Sequence, residues 1–459
     1  MDATIFREMV FSVIRKLCKQ VRDHPVEAFA ISSHGETTIP VDKQGNATHP
    51  AIMNSDNRAG EEAGWWERTF GREEIYKITG VPLHEMFSLN KILWIRKNLP
   101  EVYAKTDRFL SVGDYILTQL GLPPYTDFSL ASRTMAFDIS KQRWSEKILG
   151  HCGIPAEKLG IPMASGTIAG RLSKEIALDL GLQEGTAVAL GGHDQPCGAL
   201  GAGAVHPGDV TDSAGTYECM TAVSDMAMNT PKAFDYSLNS YCHVVPDKYV
   251  TLAFFPAGMV PSWFTAQFCY EDKIMAQKVG KDLFELLDEK ISEYCPGPTG
   301  LNIVPHFVGS CTPYWDSRAR GTMAGLTPGI TRFHIYKAIY EGIACELAIN
   351  VGALEEVVGE FERMIISGGN SRSPFTVRLR ADITGKTFHL LRSKEAVCLG
   401  AAILAGISTG VFRDAQDAVA RIVQTEKTIS PDFNTRSDYK KQYERYKVLY
   451  HSFDQYRQI

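Results

Sequence analysis

One stretch constrains this chain more than any other: Thr186-Ala187-Val188-Ala189-Leu190 running into Gly191-Gly192-His193-Asp194-Gln195. The first five residues are strand-like, and glycines follow where a strand delivers its last residues to a cleft and backbone must come close to a ligand. Asp194 therefore falls at a strand end, where a carboxylate is well placed to accept a proton from a substrate hydroxyl. Downstream, Ser213-Ala214-Gly215-Thr216 offers a second turn whose backbone N–H groups and hydroxyl suit phosphate oxygens. Base and phosphate cradle together point to phosphoryl transfer to an alcohol. Alone, a Gly-Gly-x-Asp turn is more often plain loop chemistry.

With 459 residues, 44% apolar and 22% charged, the chain has the composition of a soluble globular enzyme of two or three domains. The net charge of -5 and the lack of a Lys/Arg block give no electrostatic footprint for nucleic acid or an anionic membrane, which leaves a small-molecule substrate. The ten cysteines are scattered without zinc-type spacing, so neither disulfides nor a structural metal is expected, and a reduced intracellular compartment is. Charges interrupt the apolar residues of the first twenty positions, unlike a signal peptide. The most apolar run, Ala396 to Phe412, is dotted with glycines and reads as a buried helix and its exit rather than a membrane span.

Apolar residues at Ile5, Met9, Val13, Leu17 and Val21, with a second row at Phe6, Val10 and Ile14, predict a helix that Asp2 or Thr4 can cap. Val26 to Ser33 and Glu36 to Val41 read as strands. His34 and Glu36 lie between them, where polar side chains either reach sugar hydroxyls or belong to a solvated turn. Asn54 to Arg58, including Asp56, is a polar cluster opening a helix with Trp65 and Trp66. Lys91 and Trp94, three apart on a further helix, read from spacing alone as helix surface and core. Val210 to Ala214 and Tyr217 to Ala222 are strands flanking Gly215-Thr216, and Asp282 to Tyr294 is a helix. Met364 to Ser367 is a strand running into Gly368-Gly369-Asn370-Ser371-Arg372-Ser373, then a helix to Gly385; glycines there let backbone pack against a base or a phosphate. The tail from Asp432 to Ile459 reads as a surface helix.

Met86 to Asn98 (MFSLNKILWIRKN), Thr126 to Asp138 (TDFSLASRTMAFD), Pro313 to Gly321 (PYWDSRARG) and Gly321 to Glu341 (GTMAGLTPGITRFHIYKAIYE) resemble the FGGY carbohydrate kinases, the group of glycerol, xylulose, gluconate and fuculose kinases. The resemblance implies an α/β, two-domain actin-like or hexokinase-like (ribonuclease H-like) ATPase fold with an interdomain cleft. Residues 1–199 would form a sugar-binding domain and 200–459 a nucleotide-binding domain. It implies ATP with Mg2+, no direct protein ligand to the metal being assigned, a cytoplasmic location, and a homodimer as one assembly open to the chain. By that resemblance Asp194 is the base, His34, Glu36, Asp56 and Gln195 bind substrate, and Gly215, Thr216, Gly309, Gly368, Gly369 and Ser373 bind ATP. His334 is expected to be structural.

The chain departs from the family pattern at several points. Arg378 replaces the usual Gln ahead of Ala381-Asp382, Gly35 the Arg that precedes Glu36 in glycerol kinases, and Asn54 an aromatic. A more polar, roomier pocket suits a longer polyol or a ketose better than glycerol, because each extra hydroxyl needs a buried partner. Family members also open with a β-hairpin carrying an Asp-x-Gly-Thr phosphate loop, which this sequence lacks. The expectation is a truncated kinase whose strand Val26 to Ser33 has an unpaired edge, or else a catalytically impaired sugar- or nucleotide-binding relative. A dinucleotide-dependent dehydrogenase is a poor reading, since no G-x-G-x-x-G fingerprint sits between a strand and a helix.

Overall fold

A computed structural model describes residues 1–21 and 24–452; the last seven residues of the expected tail helix lie outside them. The elements that build the site are labelled in chain order. Helix α1 (Thr4–Gln20) has its first turn held by Asp2, whose Oδ1 accepts from the Thr4 N–H at 2.9 Å and the Thr4 hydroxyl at 2.8 Å. Of its two apolar rows only one turns inward: Phe6, Val10 and Ile14 pack beside buried Phe11, while Ile5, Met9, Val13 and Leu17 face outward. Strand β1 (Ala28–Ser33) follows, then helices α2 (Ser88–Asn98) and α3 (Phe128–Ser132). The second expected strand is shorter than its pattern and spans Ile39–Val41.

Strands β2 (Ile168–Arg171) and β3 (Ala187–His193) complete a three-stranded sheet in the order β1-β3-β2. The β1 strand therefore stands at an edge, with β3 its parallel neighbour. The β3 strand runs through both glycines, correcting the expectation that they form a turn beside a ligand. The register slips between Ile31 and Ser32, and a Cβ on Gly191 would lie 2.0 Å from the Ile31 carbonyl oxygen. Gly191 serves close strand contact at a bulge, and Gly192 makes room for the Val244 and Ser129 side chains. Asp194 then begins helix α4 (Asp194–Gly201) directly.

The second half is a seven-stranded sheet, built from β4 (Val210–Ala214), β5 (Tyr217–Ser224), β6 (Asn239–Cys242), β7 (Tyr249–Pro256), β8 (Arg363–Ser367), β9 (Thr387–Leu391) and β10 (Thr425–Ile429). Its order is β6-β7-β5-β4-β8-β9-β10. Two neighbouring helices are α5 (Met259–Phe268) and α6 (Leu283–Tyr294), the latter capped by Asp282. The long helix α7 (Arg332–Val358) is buried along most of its length, and Tyr336, Ile343 and Leu347 meet Met220, Phe255 and Ile366 of the sheet. His334 closes a capping box with Thr331 at its start, in keeping with a structural role.

Helix α8 (Pro374–Thr384) ends at Gly385, and α9 (Ala396–Ser408) closes the second half by sequence. Yet α9 packs on β1, β3 and α4, so a helix from late in the chain covers the three-stranded sheet. The last described helix, α10 (Phe433–Ser452), is more than surface decoration. It buries Tyr439, Gln442, Tyr446 and Tyr450 on one face, and Tyr446 donates to Glu346 on α7 at 2.7 Å. Spacings of three and four make that face continuous, which the charged composition concealed.

Candidate functional site

The site forms where β3 ends. His193 is buried, its backbone N–H donates to Ser129 Oγ at 2.8 Å, and its Nδ1 lies 3.1 Å from the Tyr241 hydroxyl on β6. Burial holds this imidazole well below its ordinary pKa, so it is neutral. When the Tyr241 hydroxyl donates to Nδ1, the ring proton sits on Nε2, which is 3.3 Å from Asp194 Oδ1. Asp194 is thus oriented from behind while its side chain stays 36% exposed. Burial, followed by the like charge of Glu36, pushes its carboxyl up to about 6. At neutral pH it remains mostly ionised and able to take a proton.

Glu36 faces Asp194 from the turn after β1. It is a non-glycine residue at φ +61°, a conformation that persists only where the surroundings over-determine it. Here its carbonyl accepts from Ser88 Oγ at 3.2 Å and from Lys91 Nζ at 2.9 Å. Lys91, read from spacing as helix surface, is fully buried, and also donates to the Met53 carbonyl at 2.7 Å. Burial lowers its ammonium to about 8. The Glu36 carboxylate meets Arg133, which follows α3, with Nε and Nη2 each 2.5 Å from Oε1. Arg133 Nη1 donates to Asn239 Oδ1 on β6 at 3.0 Å.

His34 lies in the same turn, its Nε2 2.8 Å from Thr37 Oγ1, and burial lowers its pKa. Gln195 follows Asp194 in the first turn of α4. Asp56 sits at the margin, engaged by Arg58 at 2.7 Å, and Arg58 stacks on Trp94 with its Cζ 4.8 Å from the ring centre. His34, Glu36, Asp194 and Gln195 are therefore brought together, with Asp56 held to one side by its own ion pair.

Of the residues expected to bind ATP, Gly215, Thr216, Gly368 and Gly369 come together at the end of the second sheet. Gly215 and Thr216 form the tip between β4 and β5, strands on which α4 also packs. The N–H groups of Ala257 and Gly258, leading into α5, both donate to the Thr216 carbonyl at 3.0 Å. Gly368 follows β8 at φ +92°, and a Cβ there would lie 2.7 Å from the Ala214 carbonyl oxygen. Only glycine allows the Gly368-Gly369 turn to sit this close to the Gly215 tip. Ser373 caps α8 by accepting from the Thr376 N–H, and donates to Asp288 on α6 at 2.5 Å. Gly309 lies in a loop fastened to β7, where Thr312 Oγ1 donates to the Phe254 carbonyl at 2.9 Å. Arg378 points elsewhere, to the Ser430 carbonyl.

Sequence reasoning passed over Arg133, Asn239 and Tyr241. Arg133 stood inside a quoted motif without a role, while Asn239 and Tyr241 lie in a stretch with no motif. Their only trace was polar side chains within a strand.

Two family models match the chain: the FGGY family of carbohydrate kinases, N-terminal domain, over residues 2–201, and the C-terminal domain of the same family over residues 213–409. Among curated relatives, a gluconokinase of Bacillus subtilis (strain 168) is 27% identical over 439 residues, covering 94% of this chain and 84% of that protein. A xylulose kinase of Lactococcus lactis subsp. lactis (strain IL1403) is 29% identical over 451 residues, covering 96% and 86%. Among solved structures, a ligand-bound xylulose kinase from Lactobacillus acidophilus shares the fold with a TM-score of 0.88 at 21% identity, covering 98% of this chain and 89% of that one.

Proposed function

The chain belongs to the FGGY family of carbohydrate kinases, enzymes that phosphorylate an alcohol group, and on that footing we propose that it uses Asp194 as the base in phosphoryl transfer to a polyol or ketose. Asp194 takes the hydroxyl proton, the freed oxygen bonds to the γ-phosphorus of ATP, and the bond from that phosphorus to the β,γ-bridging oxygen breaks to release ADP. Glu36 and Gln195 accept and donate hydrogen bonds to the other substrate hydroxyls, with His34 beside them. Thr216 presents its N–H and hydroxyl to phosphate oxygens at a tip that Gly215 shapes, the Gly215 N–H itself being donated to the Tyr217 carbonyl at 3.1 Å, and the Gly368-Gly369 turn with Ser373 borders the nucleotide. The observation that carries this reading is the placement of Asp194 at the end of β3, oriented by His193 and facing Glu36.

Among the described residues no group of three or more His, Cys, Asp or Glu side chains is arranged to hold a metal ion. A Mg2+ carried in on the nucleotide phosphates would meet Asp194 as the partly exposed carboxylate of the site. When bound, the ion would neutralise charge on the transferring phosphoryl group. The 1–199 and 200–459 halves serve as the sugar and nucleotide sides, and their closure excludes water.

The test is ADP release from Mg-ATP over a panel of D-xylulose, D-gluconate, glycerol and longer polyols, with Asp194→Asn beside the native chain. Release that depends on one panel member and disappears in the variant supports the reading. Undiminished turnover by Asp194→Asn removes Asp194 as base, and neither turnover nor binding of any panel member overturns the kinase reading.

A further inference from the structure

Arg133 has no part in the phosphoryl transfer described above, yet it is the most heavily engaged charged group of the site. Its side chain is 4% exposed, and the guanidinium stacks between two aromatic rings, 5.0 Å from the Tyr241 centroid and 5.2 Å from that of Phe87. The backbone is shaped to admit it: a Cβ on Gly35 would lie 2.9 Å from Arg133 Cβ and Cγ. A buried ion pair is a weak source of stability, since apolar residues of equal volume often serve as well. The location of this one argues for another use. It joins Glu36, on the first half, to Asn239 and Tyr241 on the second sheet, and Tyr241 in turn holds His193 beside Asp194.

We infer that Arg133 is a positioning residue for the acceptor substrate: it grips Glu36 by Oε1 so that Oε2 meets a substrate hydroxyl, and it sets the separation of Glu36 from Asp194. The inference rests on the proposed reading of this site as the acceptor pocket. Both contacting N–H groups fall on one carboxylate oxygen, a geometry that the rigid fork of arginine provides and lysine does not. The same cation also screens two carboxylates that face each other. The groups facing Asp194 are Glu36 and Arg133 from the first half, His193 beside it, Cys197 on its own helix, and Tyr241 and Cys219 from the second sheet. Arg133 is the cation among them.

Two variants separate charge from geometry. The Asp194 carboxyl is titrated by 13C NMR, assigned by its loss in Asp194→Asn, and D-xylulose binding is measured by calorimetry. In Arg133→Gln the Asp194 midpoint is expected to rise above its native value of about 6, because the screening cation is gone. In Arg133→Lys the midpoint is expected to stay near the native one while D-xylulose affinity falls on the order of tenfold or more, because charge remains and the fork does not. A native midpoint in Arg133→Gln, or native D-xylulose affinity in Arg133→Lys, overturns the inference. The titration needs neither turnover nor ligand, so it decides the matter even where the ADP assay of the native chain is silent. If Arg133→Gln fails to fold, the affinity of Arg133→Lys decides.

Discussion

Gly201 on α4 and Gly400 on α9 face each other where the two helices cross, so closely that a Cβ on Gly201 would lie 2.6 Å from the Gly400 nitrogen. The same Cβ would lie 1.8 Å from the Ala396 carbonyl oxygen, and one on Gly400 would lie 1.9 Å from that of Cys197. Backbone thus packs on backbone, and nothing flexible can yield. Because α4 starts at Asp194 and α9 lies across β1 and β3, this crossing fixes the base relative to the three-stranded sheet. Gly400→Ala should force the helices apart, destabilising the protein by about 1–3 kcal/mol or more and lowering turnover. Gly352→Ala on α7, where a Cβ meets nothing within 4 Å, is the control and should leave the melting temperature unchanged or higher. Equal melting temperatures for the two variants would contradict this account.

Asp194→Asn should reduce turnover by about 10²–10⁴-fold, the usual contribution of a positioned base, while substrate affinity changes only a few fold. In the native protein the acid limb of the rate profile should fall near pH 6, because burial and Glu36 raise the Asp194 carboxyl to about 6. Rates measured from pH 5 to 8 check both statements. A limb at the ordinary carboxylate value would mean that another group titrates.

The same raised carboxyl has a stability consequence. The folded protein holds the Asp194 proton more tightly than the unfolded chain, so ionising it opposes folding, and stability from this group is lost as pH rises from about 4 through about 6. Asn at this position should therefore raise the melting temperature at pH 8 relative to the native protein, with the advantage shrinking at pH 4. Thermal unfolding at the two pH values reads the difference directly.

Glu36→Gln should be costly in a different way. The side chains of Glu36 and Arg133 are 5% and 4% exposed, and removing one charge leaves the other buried without compensation. A loss of about 3–5 kcal/mol is expected by denaturant unfolding. Adding Arg133→Met should recover part of it. Strict additivity of the two losses would show that the pair does not interact.

Ser373→Ala should remove the α8 cap and the hydrogen bond to Asp288 together. The cap contributes about 0.5–2 kcal/mol. Burial holds Asp288 up to about 6, and losing the Ser373 hydroxyl should raise it further. Weaker ADP binding by calorimetry, with D-xylulose binding unchanged, is the expected outcome if Ser373 borders the nucleotide. Unchanged ADP affinity would remove Ser373 from that role.

The sequence by itself determined the local elements and their turns. Val210 to Ala214 and Tyr217 to Ala222 read as strands around Gly215-Thr216, and Met364 to Gly385 as strand, glycine turn and helix, because period and turn chemistry are properties of neighbouring residues. The family motifs were legible for the same reason. What only the tertiary structure decided were relationships between residues distant in the chain. Gly191 looked like ligand-facing turn and proved to be strand pressed against Ile31; Lys91 looked like surface and proved to clamp Glu36; α10 looked peripheral and proved to seal α7. Arg133 met Glu36 across 97 positions and Asn239 across 106, and no local period or spacing records a partner that far away. Burial and charge proximity, which set the proton affinity of Asp194, arise only when those segments pack together.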